Sequence, residues 1–465
     1  MFIFASSPTY GEPDFHLKSK NFGFSGTKTE HKNKRCTENQ SVTPLRCRDE
    51  ATRTPDPYVP NVVRYQLRYI PILKNGFEKP DAKVRQKNET GILFTKKFVF
   101  LWKKYYLCPT YMEIMQKILT LLMCLLCSLS MKAAHYIVVK AGDAESFLNA
   151  IKEANERNKD AKAQRLFILV PNGVYDLGER VLTKITGNQI AIIGESMDGT
   201  VVRNAPDIAI EGISKTATLQ VRGANTYLQD LTIQNALKYY ESGKDGRAVT
   251  IHDKGTRTIC KNVRMLSHQD TYYTDNEDSQ FYLEDSEIHG TVDFICGASD
   301  VYFNHCTIVT EYRTATGEGR NVIAAPRTSQ TPWGYIFESC TIYNNKSSFH
   351  YARGWKETPH CIFLNTTLMT PEKLLSTRFE PRGMRTIQSD FKEYHTMDKD
   401  GNDITPKSNV ITFYIGEEKN TVETILTAEE AKKYTLKNIF PNWRPEKITQ
   451  KLYLQAETLK RKVLK

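Results

Sequence analysis

A seven-residue pattern that recurs along the chain constrains its fold more than any other feature. An aromatic or aliphatic residue opens the pattern, polar residues fill its middle, and an apolar residue closes it. Copies of the pattern end at Ile233, Met265, Ile288, Ile308, Ile342 and Leu368. Irregular repeats of roughly 20–35 residues, rich in β-branched and aromatic residues, are typical of stacked strand coils. We therefore predict an all-β solenoid, a parallel β-helix.

Two acidic residues stand inside stretches that otherwise have the character of strands. Asp270 lies in the run Gln269-Asp270-Thr271, and Asp293 lies in the segment 292–297. An unpaired carboxylate is costly to bury, and these two are 23 positions apart, close to the length of one repeat. Because neighbouring coils lie about 4.8 Å apart, the two carboxylates would be close enough to share a proton. This geometry predicts an active site.

The segments that flank the coils are predicted to cover the ends of the solenoid. The coils themselves are expected between about residues 189 and 370, after a first strand at 136–140. Helices are predicted at 144–157, 427–433 and 445–463. A solenoid needs its ends covered, so the early helix and the late segments are expected to be short caps, with the two late helices packed on or beside the solenoid. Residues 135–465 are accordingly predicted to form one domain.

The first 134 residues differ from the rest of the chain in charge. They hold 22 Lys and Arg against 11 Asp and Glu, a net charge of +11, which equals the formal net charge of the whole chain. The remaining residues carry 42 charges of each sign. The basic excess therefore belongs to this leader, and the rest offers no electrostatic basis for a nucleic-acid partner.

Residues 112–134 have the character of a secretory signal peptide. Lys117 precedes an apolar run at 118–130, and small residues follow it. The run is shorter than the about 20 residues that span a membrane, so no stable membrane insertion is expected. We predict a secreted or periplasmic protein with a bacterial-type signal.

Residues 1–111 show no sustained strand or helix period, so we predict a disordered or non-native extension. In the non-native case translation would begin at Met112 or Met115. A genuine basic tail followed by an internal membrane anchor is the alternative interpretation.

Five short motifs in a fixed order give the chain a resemblance to a known family. The motifs lie at 173–175, 246–250, 269–271, 292–297 and 352–355. With the strand repeats, they resemble carbohydrate esterases of the pectin methylesterase (pectinesterase) type over about residues 135–415. This resemblance implies a right-handed, single-stranded parallel β-helix. It also implies hydrolysis of methyl esters on the galacturonate units of pectin, with release of methanol and without a metal or organic cofactor.

The resemblance also implies roles for the acidic residues. Asp293 matches the family's nucleophile, and Asp270 matches the general acid that afterwards acts as the base toward water. Physical reasoning agrees, because two stacked carboxylates cannot both ionise cheaply. Arg353, arriving from another coil, would keep Asp293 ionised through a charge-assisted pair. Gln269 matches the amide that donates to the developing oxyanion.

Substrate contacts are implied for three further residues. Trp355 would offer a flat apolar face to a sugar ring, and Tyr273 would line the same cleft. Arg247 stands where the family usually has a Gln that contributes to the oxyanion hole, and it could instead pair with Asp270 or with a substrate carboxylate. Two other departures are Gly354 in place of Pro and Cys296 in place of Phe.

These departures leave two alternatives open. One is an esterase that acts on a decorated pectin or on a smaller acyl ester. The other is a polysaccharide-binding β-helix whose turnover is impaired. A pectate lyase would share the architecture, but it generally needs calcium-binding carboxylates and a basic residue that abstracts a proton.

The histidines and cysteines of the sequence do not predict a further functional site. The histidines show no metal-ligand spacing, and the five cysteines beyond the signal segment lack the pairing of a disulfide framework or a zinc site. Cys306 and Cys340 share one repeat position, which predicts stacked buried thiols. His268 precedes the Gln-Asp pair without a Gly-x-Ser-x-Gly elbow, so we interpret it as structural. Nothing indicates oligomerisation, and a monomer is expected.

Overall fold

The computed structural model describes residues 135–464 except 243–245, 314–319, 328–331, 357–358 and 382–389. It also describes positions 113, 115–118 and 120, which are helical. The predictions for residues 1–111, and most of the predicted signal segment 112–134, lie outside the described residues.

Short strands make up most of the described chain. In order they are β1 (Tyr136–Val138), β2 (Leu166–Val170), β3 (Gly173–Asp176), β4 (Thr183–Ile185), β5 (Ile190–Gly194), β6 (Thr200–Asn204), β7 (Leu219–Val221), β8 (Tyr227–Asn235), β9 (Ile251–Asp253), β10 (Ile259–Leu266), β11 (Tyr272–Thr274), β12 (Gln280–Glu284) and β13 (Glu287–Gly290). They continue as β14 (Val292–Gly297), β15 (Asp300–Asn304), β16 (Thr307–Thr310), β17 (Asn321–Pro326), β18 (Tyr335–Glu338), β19 (Thr341–Asn344), β20 (Phe349–Ala352), β21 (His360–Leu364), β22 (Thr367–Leu368), β23 (Asp390–Tyr394), β24 (Met397–Asp398), β25 (Val410–Ile415) and β26 (Glu418–Glu423).

Helices are few in the described part of the chain. They are α1 (Ala144–Arg157), α2 (Ala428–Ala431), α3 (Leu436–Ile439) and α4 (Pro445–Val463). Short 3₁₀ turns span Ile208–Ile210, Tyr239–Glu241 and Pro371–Lys373. The predicted helices at 144–157 and 445–463 are confirmed, and the one at 427–433 is confirmed in part by α2.

The strands stack into a parallel β-helix, as predicted. One sheet has 17 strands and a second has seven in the order β4-β7-β9-β11-β14-β17-β20, with parallel pairing in both. Connections between parallel strands of one sheet are right-handed in nearly all proteins. The coils extend further than predicted, because β1 already pairs with β2 and β21 still pairs with β23. These outer coils were missed because they lack the seven-residue pattern.

Equivalent residues of successive coils stack to form the core. Phe303, Phe337 and Phe363 lie nearly parallel, with ring centroids 4.4 and 4.3 Å apart. Cys306 and Cys340 are both fully buried in neighbouring coils, which confirms the predicted thiol stack. Stacking of this kind buries apolar side chains along the whole axis of the solenoid and excludes water from them. This burial is the main source of stability in such a fold.

The two ends are covered by different elements. Helix α1 begins at Asp143, whose carboxylate accepts a hydrogen bond from the Ser146 N–H at 3.0 Å. Its buried Phe147 and Ile151 join the core at the first coil. At the other end the antiparallel hairpin of β25 and β26 contributes Ile411 and Val422 to the same core.

Helix α4 packs on the side of the solenoid rather than over an end, one of the placements expected for the late helices. Its Leu452 and Ala456 pack with Tyr227 and Ile259, which the 17-stranded sheet presents on its outer side. The Lys460 ammonium of the same helix donates a hydrogen bond to the Asp230 carboxylate, with Nζ 2.6 Å from Oδ2. The sheet is apolar on its outer side here as well as inside, so a 19-residue amphipathic helix is needed to cover it.

Candidate active site

The stacking of coils brings the two predicted acids together. Strand β11 pairs with β14 so that Tyr272 is opposite Ile295. Asp270 and Asp293 therefore occupy equivalent positions of neighbouring coils, two residues before that pair. Both are buried, with 4% and 7% of their surface exposed. This is the juxtaposition that the 23-residue spacing predicts.

Both acids adopt an unusual backbone conformation. Their φ angles are +60° for Asp270 and +52° for Asp293, in the left-handed region that Asp tolerates better than most residues. The pairing of β14 with β17 also shifts between Val292 and Ile295, a bulge that redirects the side chain between them. The bulge at Asp293 and the left-handed φ angles of both residues thus turn the two carboxylates away from the regular strand alternation.

Arg353 follows β20, two strands beyond β14 in the seven-stranded sheet, and reaches back to Asp293. Its Nε lies 2.8 Å from Oδ1 and its Nη2 lies 2.5 Å from Oδ2. Burial opposes the charge of Arg353, but the charge and hydrogen bonds of Asp293 outweigh it and raise the pKa of the guanidinium. This two-point pair gives each Asp293 oxygen a charge-assisted hydrogen bond and fixes the plane of the carboxylate.

Asp270 contacts a different group, the thiol of Cys296. Cys296 lies opposite Tyr273 in the next coil and is 1% exposed. Burial raises the pKa of the Cys296 thiol well above its usual range, and the charges of Asp270 and Asp293 together with a hydrogen bond to Asp270 raise it further. The thiol therefore stays protonated and donates to Asp270. The sequence showed the exchange of Phe for Cys but not this contact.

Arg247 lies beside Gln269 but is anchored elsewhere. The two residues form an isolated parallel bridge between coils, and the Gln269 carbonyl accepts from the Ala248 N–H at 3.0 Å. The Arg247 guanidinium donates to Glu211 through Nε at 3.1 Å and Nη2 at 2.9 Å. Glu211, with 6% of its side chain exposed, was missed because it lies 36 positions away in an irregular turn.

An aromatic wall stands next to the acid pair, Asp270 and Asp293. Tyr273 and Trp355 have ring centroids 6.1 Å apart and share an apolar cluster with Cys296. Arg327, which the sequence did not single out, lies over the Trp355 ring at 5.7 Å. Its guanidinium is held by Asp275 at 2.7 Å and by Glu277 at 2.5 Å. The wall is partly apolar, its two rings are tilted by 53° to each other, and a cation paired with two carboxylates borders it.

His268 packs among aromatic rings rather than forming a triad. Tyr239 stacks on it with centroids 4.5 Å apart and planes within 4°, and Tyr240 meets its edge at 5.1 Å. Nδ1 is buried without a hydrogen-bond partner. Burial lowers the pKa of His268 to about 4, so the ring is neutral near pH 7. This environment fits the structural role inferred from the sequence.

Acid is expected to destabilise the protein through His268. The unfolded chain takes up this proton near pH 6.5, whereas the folded chain does so only near pH 4. Between these values the unfolded state binds more protons, so the free energy of unfolding falls as the pH drops. The free energy of unfolding should therefore fall less in His268→Phe than in the parent, by about 2 kcal/mol between pH 7 and about pH 4.5.

Urea unfolding at the two pH values measures this effect. His305→Asn, a change at an exposed histidine, is the control and should leave the pH dependence unaltered. An equal acid loss in His268→Phe and in the parent would show that His268 does not cause it.

Comparisons with known proteins find relatives of the chain among pectinesterases. A sequence profile of the family described as Pectinesterase matches residues 136–441. A pectinesterase/pectinesterase inhibitor of Ficus pumila var. awkeotsang is 27% identical over 268 residues, which are 55% of this chain and 46% of that protein. Pectinesterase A of Dickeya dadantii is 26% identical over 309 residues, covering 60% and 83% of the two chains. The match thus spans less than half of the plant relative.

Solved structures show the same fold. Pectin methylesterase PemA from Erwinia chrysanthemi superposes with a TM-score of 0.51 at 22% identity, covering 68% of this chain and 99% of that one. A pectin methylesterase in complex with a hexasaccharide gives a TM-score of 0.51 at 23% identity, covering 66% and 97%. Both are right-handed parallel β-helices, and the coils described above have that architecture.

Proposed function

Because the chain belongs to the pectinesterase family, we propose that it hydrolyses methyl esters on the galacturonate units of pectin and releases methanol. The observation that carries this proposal is the buried Asp293 carboxylate, gripped at two points by Arg353 and stacked one coil from Asp270. Such an arrangement supplies one carboxylate that stays charged and a second that can hold a proton.

In the proposed reaction the charged Asp293 attacks the carbonyl carbon of the ester. The carbonyl oxygen becomes an oxyanion, to which the Gln269 side chain donates a hydrogen bond. When the intermediate collapses, the bond to the methoxy oxygen breaks, and Asp270 gives its proton to that oxygen. Methanol leaves, and the galacturonate remains joined to Asp293 as an acid anhydride.

The second half of the reaction restores both acids. Asp270, now a carboxylate, takes a proton from water while the water oxygen attacks the same carbonyl carbon. The bond to Asp293 then breaks, which frees the galacturonate carboxylate. Arg353 receives the regenerated Asp293 charge in a pair that is already formed, so little reorganisation is needed.

The aromatic wall is proposed to bind the polysaccharide. Trp355, which is only partly buried, offers apolar ring surface to a pyranose. The buried Tyr273 packs behind it, and Arg327, held by Asp275 and Glu277, fixes its other side. Arg247 is proposed to act through its position next to Gln269, where Glu211 fixes it. The pair narrows the space at the oxyanion side, in the place where relatives usually carry a neutral amide.

The protein's surroundings follow from this substrate. Among the described residues no helix is long and apolar enough to cross a membrane, and no group of three or more His, Cys, Asp or Glu could hold a metal ion. We propose a secreted or periplasmic monomer that needs no cofactor. The support is the predicted signal segment and the location of pectin outside cells.

The direct test is methanol release from highly methylated pectin by the full chain. We expect methanol and new carboxylates in equal amounts. Retention on immobilised pectin without methanol would instead favour a polysaccharide-binding protein. Methanol from a branched pectin alone would favour the decorated-pectin alternative, and unsaturated products that absorb ultraviolet light would indicate a lyase.

A further inference from the structure

A cavity of about 430 Å³ lies between α4 and the outer side of the 17-stranded sheet. The residues proposed for ester hydrolysis belong to or adjoin the other, seven-stranded sheet, so this cavity is separate from them. Strands β8 and β10 form its floor with Tyr227 and Ile259, and Trp443 and Leu452 close it from the helical side. Nothing in the proposed reaction uses this space.

The cavity is strongly basic. Arg165, Arg257 and Lys451 line it, and no acidic residue does. Arg165 donates only to neutral acceptors, the Asn225 carbonyl at 2.9 Å and the Gln189 amide oxygen at 2.5 Å. Burial lowers its pKa to about 10, which leaves it charged near pH 7. Arg165 is half-buried and forms no ion pair with a described residue, so an anion in this space would be favoured.

The coil geometry builds the cavity wall. Gln189, Asn225 and Arg257 are left-handed turn residues in three successive coils, with φ of +56°, +59° and +59°. Their repeated conformation aligns the turns of these coils, and all three residues line the cavity. Thr226, next to this column, is 1% exposed, and its hydroxyl oxygen has no hydrogen-bond partner.

We propose that this cavity binds a uronate unit of an acidic polysaccharide, with the carboxylate between Arg165 and Arg257. A planar guanidinium matches a carboxylate in two-point geometry. The space is far larger than the volume of one water molecule, about 30 Å³, so it can admit more than a small inorganic anion. The choice of uronate rests on the proposed function, since ester hydrolysis converts methyl galacturonate into galacturonate.

Such a site would hold a demethylated stretch of polymer away from the acid pair. Methylated units carry no charge and gain nothing from the three cations, so the site would discriminate product from substrate. The enzyme would then stay associated with polymer that it has already modified.

The test compares binding of galacturonate to the full-length parent and to the double variant Arg257→Gln/Lys451→Gln at low salt. Arg165 is left in place because its hydrogen bonds join two coils. Calorimetry should show binding weakened by about tenfold or more, as expected for loss of charge-assisted contacts. Lys447→Gln, an exposed lysine of the same helix outside the cavity, is the control and should bind like the parent.

Further measurements separate this site from the cleft. Methanol release should be unchanged in the double variant, and galacturonate binding at the cavity should persist in Trp355→Ala. If the parent binds galacturonate but releases no methanol, the proposed ester hydrolysis is contradicted and the cavity assignment stands. Equal binding by parent and double variant would overturn the cavity assignment. Binding of inorganic phosphate but not galacturonate, or of neutral galactose as tightly as galacturonate, would overturn the uronate assignment.

Discussion

Asp293→Asn is expected to abolish methanol release, with kcat reduced on the order of 10⁴ or more. An amide is a far weaker nucleophile than a carboxylate, so the covalent step would be lost. The change keeps the size of the side chain, and Asn tolerates the φ of +52° at this position. It also leaves Arg353 with a partner that can accept one hydrogen bond in place of a charged pair.

The control for this variant is Asp285→Asn. Asp285 is also a left-handed turn residue, with φ of +48°, but it is exposed and pairs with Lys261 beside the 17-stranded sheet. It should release methanol at the parental rate. Thermal unfolding of both variants checks the fold, and substantial turnover by well-folded Asp293→Asn would exclude Asp293 as the nucleophile.

Asp270→Asn is expected to slow methanol release by about 10²–10⁴, the usual contribution of a general acid and base. The side chain could no longer donate a proton to the leaving methoxide or accept one from water. The left-handed φ of +60° is again compatible with Asn. The Cys296 thiol would keep an oxygen acceptor, so the local packing should survive.

A change of leaving group distinguishes this role from a structural one. With an aryl ester the leaving group needs no proton, so the parent and Asp270→Asn should form the acyl-enzyme at similar rates. The variant should then accumulate it, because water attack still needs the base, and a burst of the aryl alcohol would reveal this. Asp293→Asn should be inactive on both esters. Equal losses on methyl and aryl esters in the first step would argue against Asp270 as the acid.

The fold was predictable because one coil resembles the next. Six copies of a strand pattern were enough to infer stacked coils, and the spacing of Asp270 and Asp293 was enough to infer that they meet. The coils formed by β1 to β4, before residue 189, and the coil of β23 and β24 fell outside the predicted range because their residues deviate from the pattern. There the fold is set by pairing with the neighbouring coil rather than by local sequence.

Contacts made by turns were not predictable. Glu211 reaches Arg247, and Asp275 and Glu277 hold Arg327, through segments of irregular length that carry no period. Position 247 could be recognised as unusual, but its partner could not. The helix at 445–463 could be predicted from its apolar pattern. Its position on the sheet could not, because it depends on outward-facing apolar residues that are scattered over several coils. Long-range register of this kind is absent from a single sequence.

The order of strands in the seven-stranded sheet determines when the proposed active-site residues separate as the solenoid unfolds from either end. In a stack of coils each one is held mainly by its two neighbours, so fraying starts at an end and proceeds inward. Three strands, β4, β7 and β9, precede β11, and two, β17 and β20, follow β14. Fraying from the α1 end must undo the outer coils before it separates Asp270 from Asp293. From the hairpin end, Arg353 is the first of these residues to be released, and the enzyme should lose its charged pair before its coils.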